Sequence, residues 1–259
     1  MDSKSANGAA AAIHASFNQA WAEPRDSLGG PPEHRALEHA QWQRELERLL
    51  ASGLLAPDAR ILDFGAGSGH WSMFLAQRLP RARITGIDFA ERAIAAASAR
   101  ARELCLENVS FILYDGGSLP VFAEPFDCIL CLGVLLYVNK AGTFERLLEP
   151  LTAALAPGGL LCVVELFRGR SREGATFKTF EKRALLAQLE ALGFQRLCDR
   201  PIYFSKAARY WVQATGARSP LRPLWRAFQS LDRAVDALLL KALRLPFGER
   251  RLLLLRKQR

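Results

Sequence analysis

At 259 residues, half of them hydrophobic, the chain suits one large domain with appended elements better than two independent cores. Its 19 glycines and 13 prolines are too few for a collagen-like or disordered chain, and no apolar run reaches the ~20 residues of a membrane-spanning helix. The net charge of +9 is lopsided, because residues 168–259 hold 21 Lys/Arg against 7 Asp/Glu, which predicts an anionic partner for that third.

Residues 1–16 read as a loose tail without the pattern of a signal peptide, so the expectation is a cytoplasmic protein, at most peripheral at the inner membrane surface. A helical pattern follows over 33–53, with Leu37, Trp42, Leu46, Leu49 and Leu50 on one face and Gly53 ending it. From Arg60 strand-like and helix-like runs alternate. Strands are predicted at 60–64, 83–88, 109–114, 126–132 and 160–167, and helices at 69–79, 90–104 and 141–156. Strands apolar throughout and separated by helices are what a parallel sheet covered on both faces requires. A helix over 177–192 and strands at 194–204 and 251–257 complete the pattern. Residues 205–248 interrupt it with Pro220, Pro223 and an amphipathic stretch in which Leu224, Phe228, Leu231, Val235 and Leu238 share a face opposite Arg226, Arg233 and Lys241. The expected division is a tail and helical cap (1–58), an α/β core (59–204), a basic amphipathic helical insertion (205–248) and a last core strand (249–259).

The five cysteines do not build a metal or redox centre. Cys128 and Cys131 have C-x-x-C spacing, but on an extended strand residues three apart point to opposite faces. With Cys105, Cys162 and Cys198 they read as small buried apolar residues.

The strongest chemical signal is Ile61-Leu62-Asp63-Phe64-Gly65-Ala66-Gly67-Ser68-Gly69, an apolar strand running into alternating glycines that open a helix. Such glycines let the backbone turn sharply and let a ligand approach without Cβ atoms in the way. Alone they would serve equally as a tight strand–helix turn, and the spacing departs from G-x-G-x-x-G because position 70 is His. Asp88, nineteen residues after Gly69 at the end of the second strand and followed by Phe89, could accept hydrogen bonds from both ribose hydroxyls of an adenosine-containing ligand. Phe89 suits either stacking on adenine or the core. Asp63 reads as orienting the loop.

With these residues the chain resembles the class I S-adenosylmethionine-dependent methyltransferase family, of the small-molecule type. Tyr114-Asp115-Gly116-Gly117-Ser118-Leu119-Pro120 is similar to that family's D-A-x-x-L-P segment, which implies that Asp115 and the amide of Gly116 meet the adenine edge. Cys131-Leu132-Gly133-Val134-Leu135-Leu136-Tyr137-Val138 is similar to the segment lining the methionine moiety, which implies contacts from Cys131 and Leu132. Leu155-Ala156-Pro157-Gly158-Gly159 resembles the turn before the fifth strand. The resemblance spans residues 55–200 and implies a doubly wound, mostly parallel seven-stranded α/β sheet of the Rossmann-like methyltransferase kind, with S-adenosyl-L-methionine as cofactor. The cofactor contacts it implies are Asp63, Gly65, Ala66, Gly67, Gly69, Asp88, Phe89, Asp115, Gly116, Cys131 and Leu132.

Methyl transfer from a sulfonium needs a general base only when the acceptor is protonated at working pH. The candidates are His34 and His39 in the cap, and Tyr137, which the resemblance places beside the methyl site. No metal-ligand grouping is visible. The stretch after the fourth strand lacks the prolines and polar group of DNA amino-methyltransferases, which argues against DNA bases, and the insertion at 205–248, where the resemblance implies substrate-binding elements, makes a small hydrophobic or lipid-like acceptor the expectation. RNA, served by the basic last third, is the alternative acceptor, and a non-catalytic cofactor-binding scaffold is the alternative function. Residues 222–245 would also suit an anionic membrane surface, although packing of the apolar face on the domain is the commoner fate of such a helix.

Overall fold

The inner strands carry buried apolar runs, such as Cys128–Leu132 and Leu252–Leu255, because both faces of the sheet are covered. The computed structural model describes residues 15–17, 19, 32–116, 118–168, 170–202 and 249–258. After a helical stretch that includes residues 15–17, its elements are α1 (Pro32–Ala51), β1 (Arg60–Phe64), α2 (His70–Arg78), β2 (Arg83–Asp88), α3 (Glu91–Glu103), β3 (Val109–Leu113) and β4 (Phe126–Leu132). There follow α4 (Leu135–Ala141), α5 (Phe144–Ala153), β5 (Leu155–Arg168), β6 (Phe180–Glu181), α6 (Lys182–Ala191), β7 (Phe194–Pro201) and β8 (Glu249–Lys257).

The sheet runs β3-β2-β1-β4-β5-β8-β7, with the two-residue β6 paired beside the end of β5. Strands β1 to β5 pair in parallel, and β8 enters antiparallel between β5 and β7. The seven expected strands form that path.

Successive residues of β5 alternate between two cores, Leu161 and Val163 facing one side and Leu160, Cys162 and Val164 the other. The first core is closed by α4, α5 and α6 through Leu135, Phe144, Leu147, Leu185 and Leu189. Trp42, Leu46 and Leu49 of α1 and Trp71 and Leu75 of α2 close the second. Cys128 lies in the second core and Cys131 in the first, as expected of a strand.

Three expectations need correction. The helix expected over 141–156 is shorter, α5 (Phe144–Ala153), with a separate helix, α4, before it that was not expected, and the chain re-enters the sheet at Leu155. Its Pro-Gly-Gly turn sits within β5 as an irregularity, since Phe126 pairs with Leu155 but Cys128 with Leu160. The helix expected from 177 starts at Lys182, because Phe180 is drawn into the sheet beside Phe167 and packs edge-on against Phe144 with ring centroids 4.7 Å apart. The loose tail expected over 1–16 is helical at its end, from residue 15. The insertion expected at 205–248 lies outside the described residues. No helix among them is long and apolar enough to cross a membrane.

Candidate active site

Four neighbouring strands, β3, β2, β1 and β4, deliver the expected site residues to one edge of the sheet, at their C-terminal ends. The β1–β4 ladder is recorded only as far as Asp63 and Leu130, whereas the β4–β5 ladder continues to Leu132 and Val164. Strands β1 and β4 therefore part before β4 ends, at the point where strand order reverses, which is where open α/β sheets receive ligands.

The turn after β1 is held from β2. The N–H groups of Gly65 and Ala66 both donate to the carbonyl of Ile87, at 2.9 and 3.0 Å. The Gly67 N–H donates to Asp88 Oδ2 at 2.9 Å, and Ala90 N–H donates to Asp88 Oδ1 at 2.9 Å. Gly65 and Gly67 adopt left-handed backbone, with φ of 79° and 55°. At Gly65 the missing side chain makes room for protein as well as for a turn, since a Cβ there would stand 2.3 Å from Val134 Cγ2. Gly69 accepts the first α2 bond, from Met73 N–H at 2.9 Å.

Asp88 is only 8% exposed, and burial raises its carboxyl above the ordinary range against the pull of the Ala90, Gly67 and Phe89 amides. Asp63 is buried beneath the turn, where Ser72 Oγ donates to its Oδ2 at 2.6 Å. Burial first, and then the Asp88 charge, push Asp63 up to about 6 while Ser72 opposes them. Asp63 thus ties β1 to α2, the orienting role expected for it.

Asp115 follows β3 and accepts the Ser118 N–H at 2.8 Å, shaping an exposed turn, while Gly116 is buried. Leu132 is buried and Cys131 is enclosed in the core, so Cys131 could meet a ligand only through its backbone. Carboxylate acceptors beside a cradle of left-handed glycines suit the hydroxyls and amine of an adenosine group, so the residues present fit S-adenosylmethionine.

The proposed base candidates do not converge. His39 of α1 lies 4.3 Å, ring to ring, from His70 and 5.2 Å from Trp71, over the start of α2. Tyr137 of α4 packs instead against Phe17, with ring centroids 4.8 Å apart. The side chain of His34 lies outside the described residues.

Phe17 and Glu165 were not anticipated. Phe17 also meets Phe89 edge-on at 5.4 Å. Phe89 follows β2 and Tyr137 follows β4, the two neighbours of β1, so a ring touching both joins the segments that follow those two strands. Nothing in the sequence around Phe17 marks it. Glu165 did leave a signal: it is a carboxylate within the apolar run of β5, and it is 1% exposed.

Residues 61–159 match the family described as "Methyltransferase domain". Over that region the chain is similar to the class I S-adenosylmethionine-dependent methyltransferases. A demethylmenaquinone methyltransferase of Thermus thermophilus is 33% identical over 125 residues, 48% of this chain and 54% of that one. A trans-aconitate 2-methyltransferase of Variovorax paradoxus is 34% identical over 120 residues, 46% and 43% of the respective chains. The methyltransferase domain thus carries the likeness, and the chain spans about half the length of these curated relatives. Among solved structures, the 4+2 cyclase SpnF is similar with a TM-score of 0.58 at 26% identity, covering 83% of this chain and 80% of that one.

Proposed function

We propose that the protein transfers the methyl group of S-adenosylmethionine to a small, hydrophobic or lipid-like acceptor by in-line displacement. The observation that carries this reading is the convergence of the glycine turn, Asp88, Asp115 and the Cys131–Leu132 segment at the ends of four adjacent strands. When bound, the cofactor supplies both the activated methyl and its leaving group. The chain's own work is then to position and to exclude water. Asp88 and Asp115 offer acceptors for sugar hydroxyls and the adenine amine, and the positive-φ glycines let the backbone approach closely.

An apolar acceptor is supported by the ring contacts of Phe17 with Phe89 and Tyr137, which place aromatic surface at the open edge. A small acceptor is supported by relatives named for demethylmenaquinone and trans-aconitate, both small molecules. Tyr137 is the base candidate on the segment after β4. The test is incubation with S-adenosylmethionine and fractionated metabolite extracts. A product heavier by one methyl, formed only with active protein, supports the reading, and its absence across chemically diverse fractions from protein that binds cofactor argues for a scaffold.

That scaffold is the second reading, a chain that holds cofactor without transferring its methyl, and one similar solved structure is named as a cyclase, not as a methyltransferase. RNA as acceptor draws less support from the described part of the basic third. There Lys182 and Arg251 are committed to Asp199, and Lys257 donates to the carbonyls of Thr152 and Leu155. RNA binding that falls steeply with salt would restore that alternative.

A further inference from the structure

The chain that leaves β4 toward Tyr137 is held from one side by consecutive residues of β5. Gly133 N–H donates to the Val164 carbonyl at 2.7 Å, one residue beyond the last pair of the ladder. The next residue, Glu165, continues the attachment with its side chain. Its Oε2 accepts the Leu136 N–H at 3.1 Å and its Oε1 accepts the Leu166 N–H at 2.9 Å. The Leu136 carbonyl is held in turn by Lys178 N–H at 2.9 Å, and Asn139 Nδ2 donates to the Lys178 carbonyl at 3.1 Å. Leu136 is thus fixed at both its N–H and its C=O, and Tyr137, the next residue, meets Phe17.

We propose that Glu165 is a positioning residue for the sulfur end of the site, fixing through the Leu136 amide the turn that carries Tyr137. It makes no contact with ligand in this role. The inference rests on the cofactor reading above.

A buried carboxylate is a demanding choice for this task, because an apolar side chain would avoid the desolvation. Burial lifts Glu165 to about 7, while the amides of Leu166, Leu136 and Leu135 and the charge of Arg250 hold it down. Few of the charged and titratable groups on the elements packed round it stand near it. On β8 they are Arg250 and Arg251, the latter its ladder partner and bonded to Asp199. On β4 there is Cys131, whose thiol is raised chiefly by burial and partly by Glu165. On α4 there are Tyr137 and Lys140, and Lys140 pairs with Glu173. Because the amides bind the ionised form, the attachment tightens as pH rises through about 7.

The test uses the full chain, Glu165→Gln and Glu165→Asp, with two readouts. Hydrogen exchange of residues 134–138 without ligand reads the attachment itself. Calorimetric titration with S-adenosylmethionine and with S-adenosylhomocysteine, near pH 6 and pH 8, reads the sulfur end, because the two ligands differ only there. In Glu165→Gln the 134–138 amides should exchange about 10-fold faster while the rest of the sheet keeps its protection. S-Adenosylhomocysteine affinity should stay within about twofold, and the sulfonium-to-thioether affinity ratio should fall by about fivefold at pH 8 and lose the pH dependence of the wild type. Wild-type exchange at 134–138 together with an unchanged ratio would overturn the proposal. If the Gln variant does not fold, Glu165→Asp, one methylene short of the Leu136 amide, must show the faster exchange, and wild-type exchange in it would overturn the proposal equally. A wild-type chain that binds neither ligand refutes the cofactor reading, and the exchange measurement still decides the role of Glu165.

Discussion

The carboxylate of Asp88 accepts the backbone N–H of Gly67 at 2.9 Å, joining the end of β2 to the turn after β1. One side chain therefore shapes the cradle and also offers the acceptor that an adenosine sugar would use. Its removal should cost both. Asp88→Ala is expected to weaken S-adenosylhomocysteine binding by about 1.5–3 kcal/mol, with Asp88→Asn, which retains one acceptor oxygen, losing less. Calorimetric titration of the three proteins checks this ordering, and equal affinities would remove Asp88 from the site.

Two glycines of the same turn should fail in different ways. Gly65→Ala puts a Cβ 2.3 Å from Val134 Cγ2 at a φ of 79°, so its cost should appear in the fold, at about 1–3 kcal/mol of unfolding free energy in urea titration. Gly67→Val, at a φ of 55°, sets bulk where the cofactor backbone contact is expected and should abolish binding of S-adenosylhomocysteine. Unaltered ligand affinity in Gly67→Val would place the cofactor elsewhere.

Asp63 gives stability a pH signature. Burial is the main cause that lifts its carboxyl from 3.8 to about 6, so the folded chain binds that proton more tightly than the unfolded chain does. The stabilising contribution is complete below about pH 4 and is lost as pH rises through about 6. Relative to Asp63→Asn, the wild type should lose roughly 1 kcal/mol of unfolding free energy between about pH 5 and pH 7. Parallel stability curves for the two proteins would contradict the assignment. Ser72→Ala, which deprives Asp63 Oδ2 of its donor, should be destabilising throughout the ionised range.

What could be read in the sequence follows the range of the forces involved. The alternation of apolar strands and helices is local, and it places β1 to β4 nearly residue for residue. The glycine turn and Asp88 also stand out, because their backbone and charge requirements are written in adjacent residues. The C-terminal end of α5 was not legible, since Leu147, Leu148 and Leu151 suit a longer helix as well, and the pairing of Leu155 with Phe126 decides the boundary. Phe17 was hidden because its partners lie in segments far along the chain, and His39 drew attention that its ring contacts with His70 and Trp71 redirect. Glu165 was visible as a misplaced charge, but the amide that uses it belongs to another element.

Phe17 should govern how fast ligand leaves. Its ring touches Phe89 and Tyr137, on the segments that follow β2 and β4, so a ligand in the glycine cradle is expected to meet it. Phe17→Ala should raise the dissociation rate of S-adenosylhomocysteine by about 10-fold, the rate equivalent of one lost aromatic contact pair, with Phe17→Leu between the two. Stopped-flow competition measures it, and an unchanged rate would show that the ring does not cover the ligand.

The most direct test of the central claim is a calorimetric titration of the wild-type chain and Asp88→Ala with S-adenosylhomocysteine and, separately, with a pyridine dinucleotide. The account predicts binding of the former by the wild type, weakened in the variant, and none of the latter. Uptake of the dinucleotide with indifference to S-adenosylhomocysteine would contradict it.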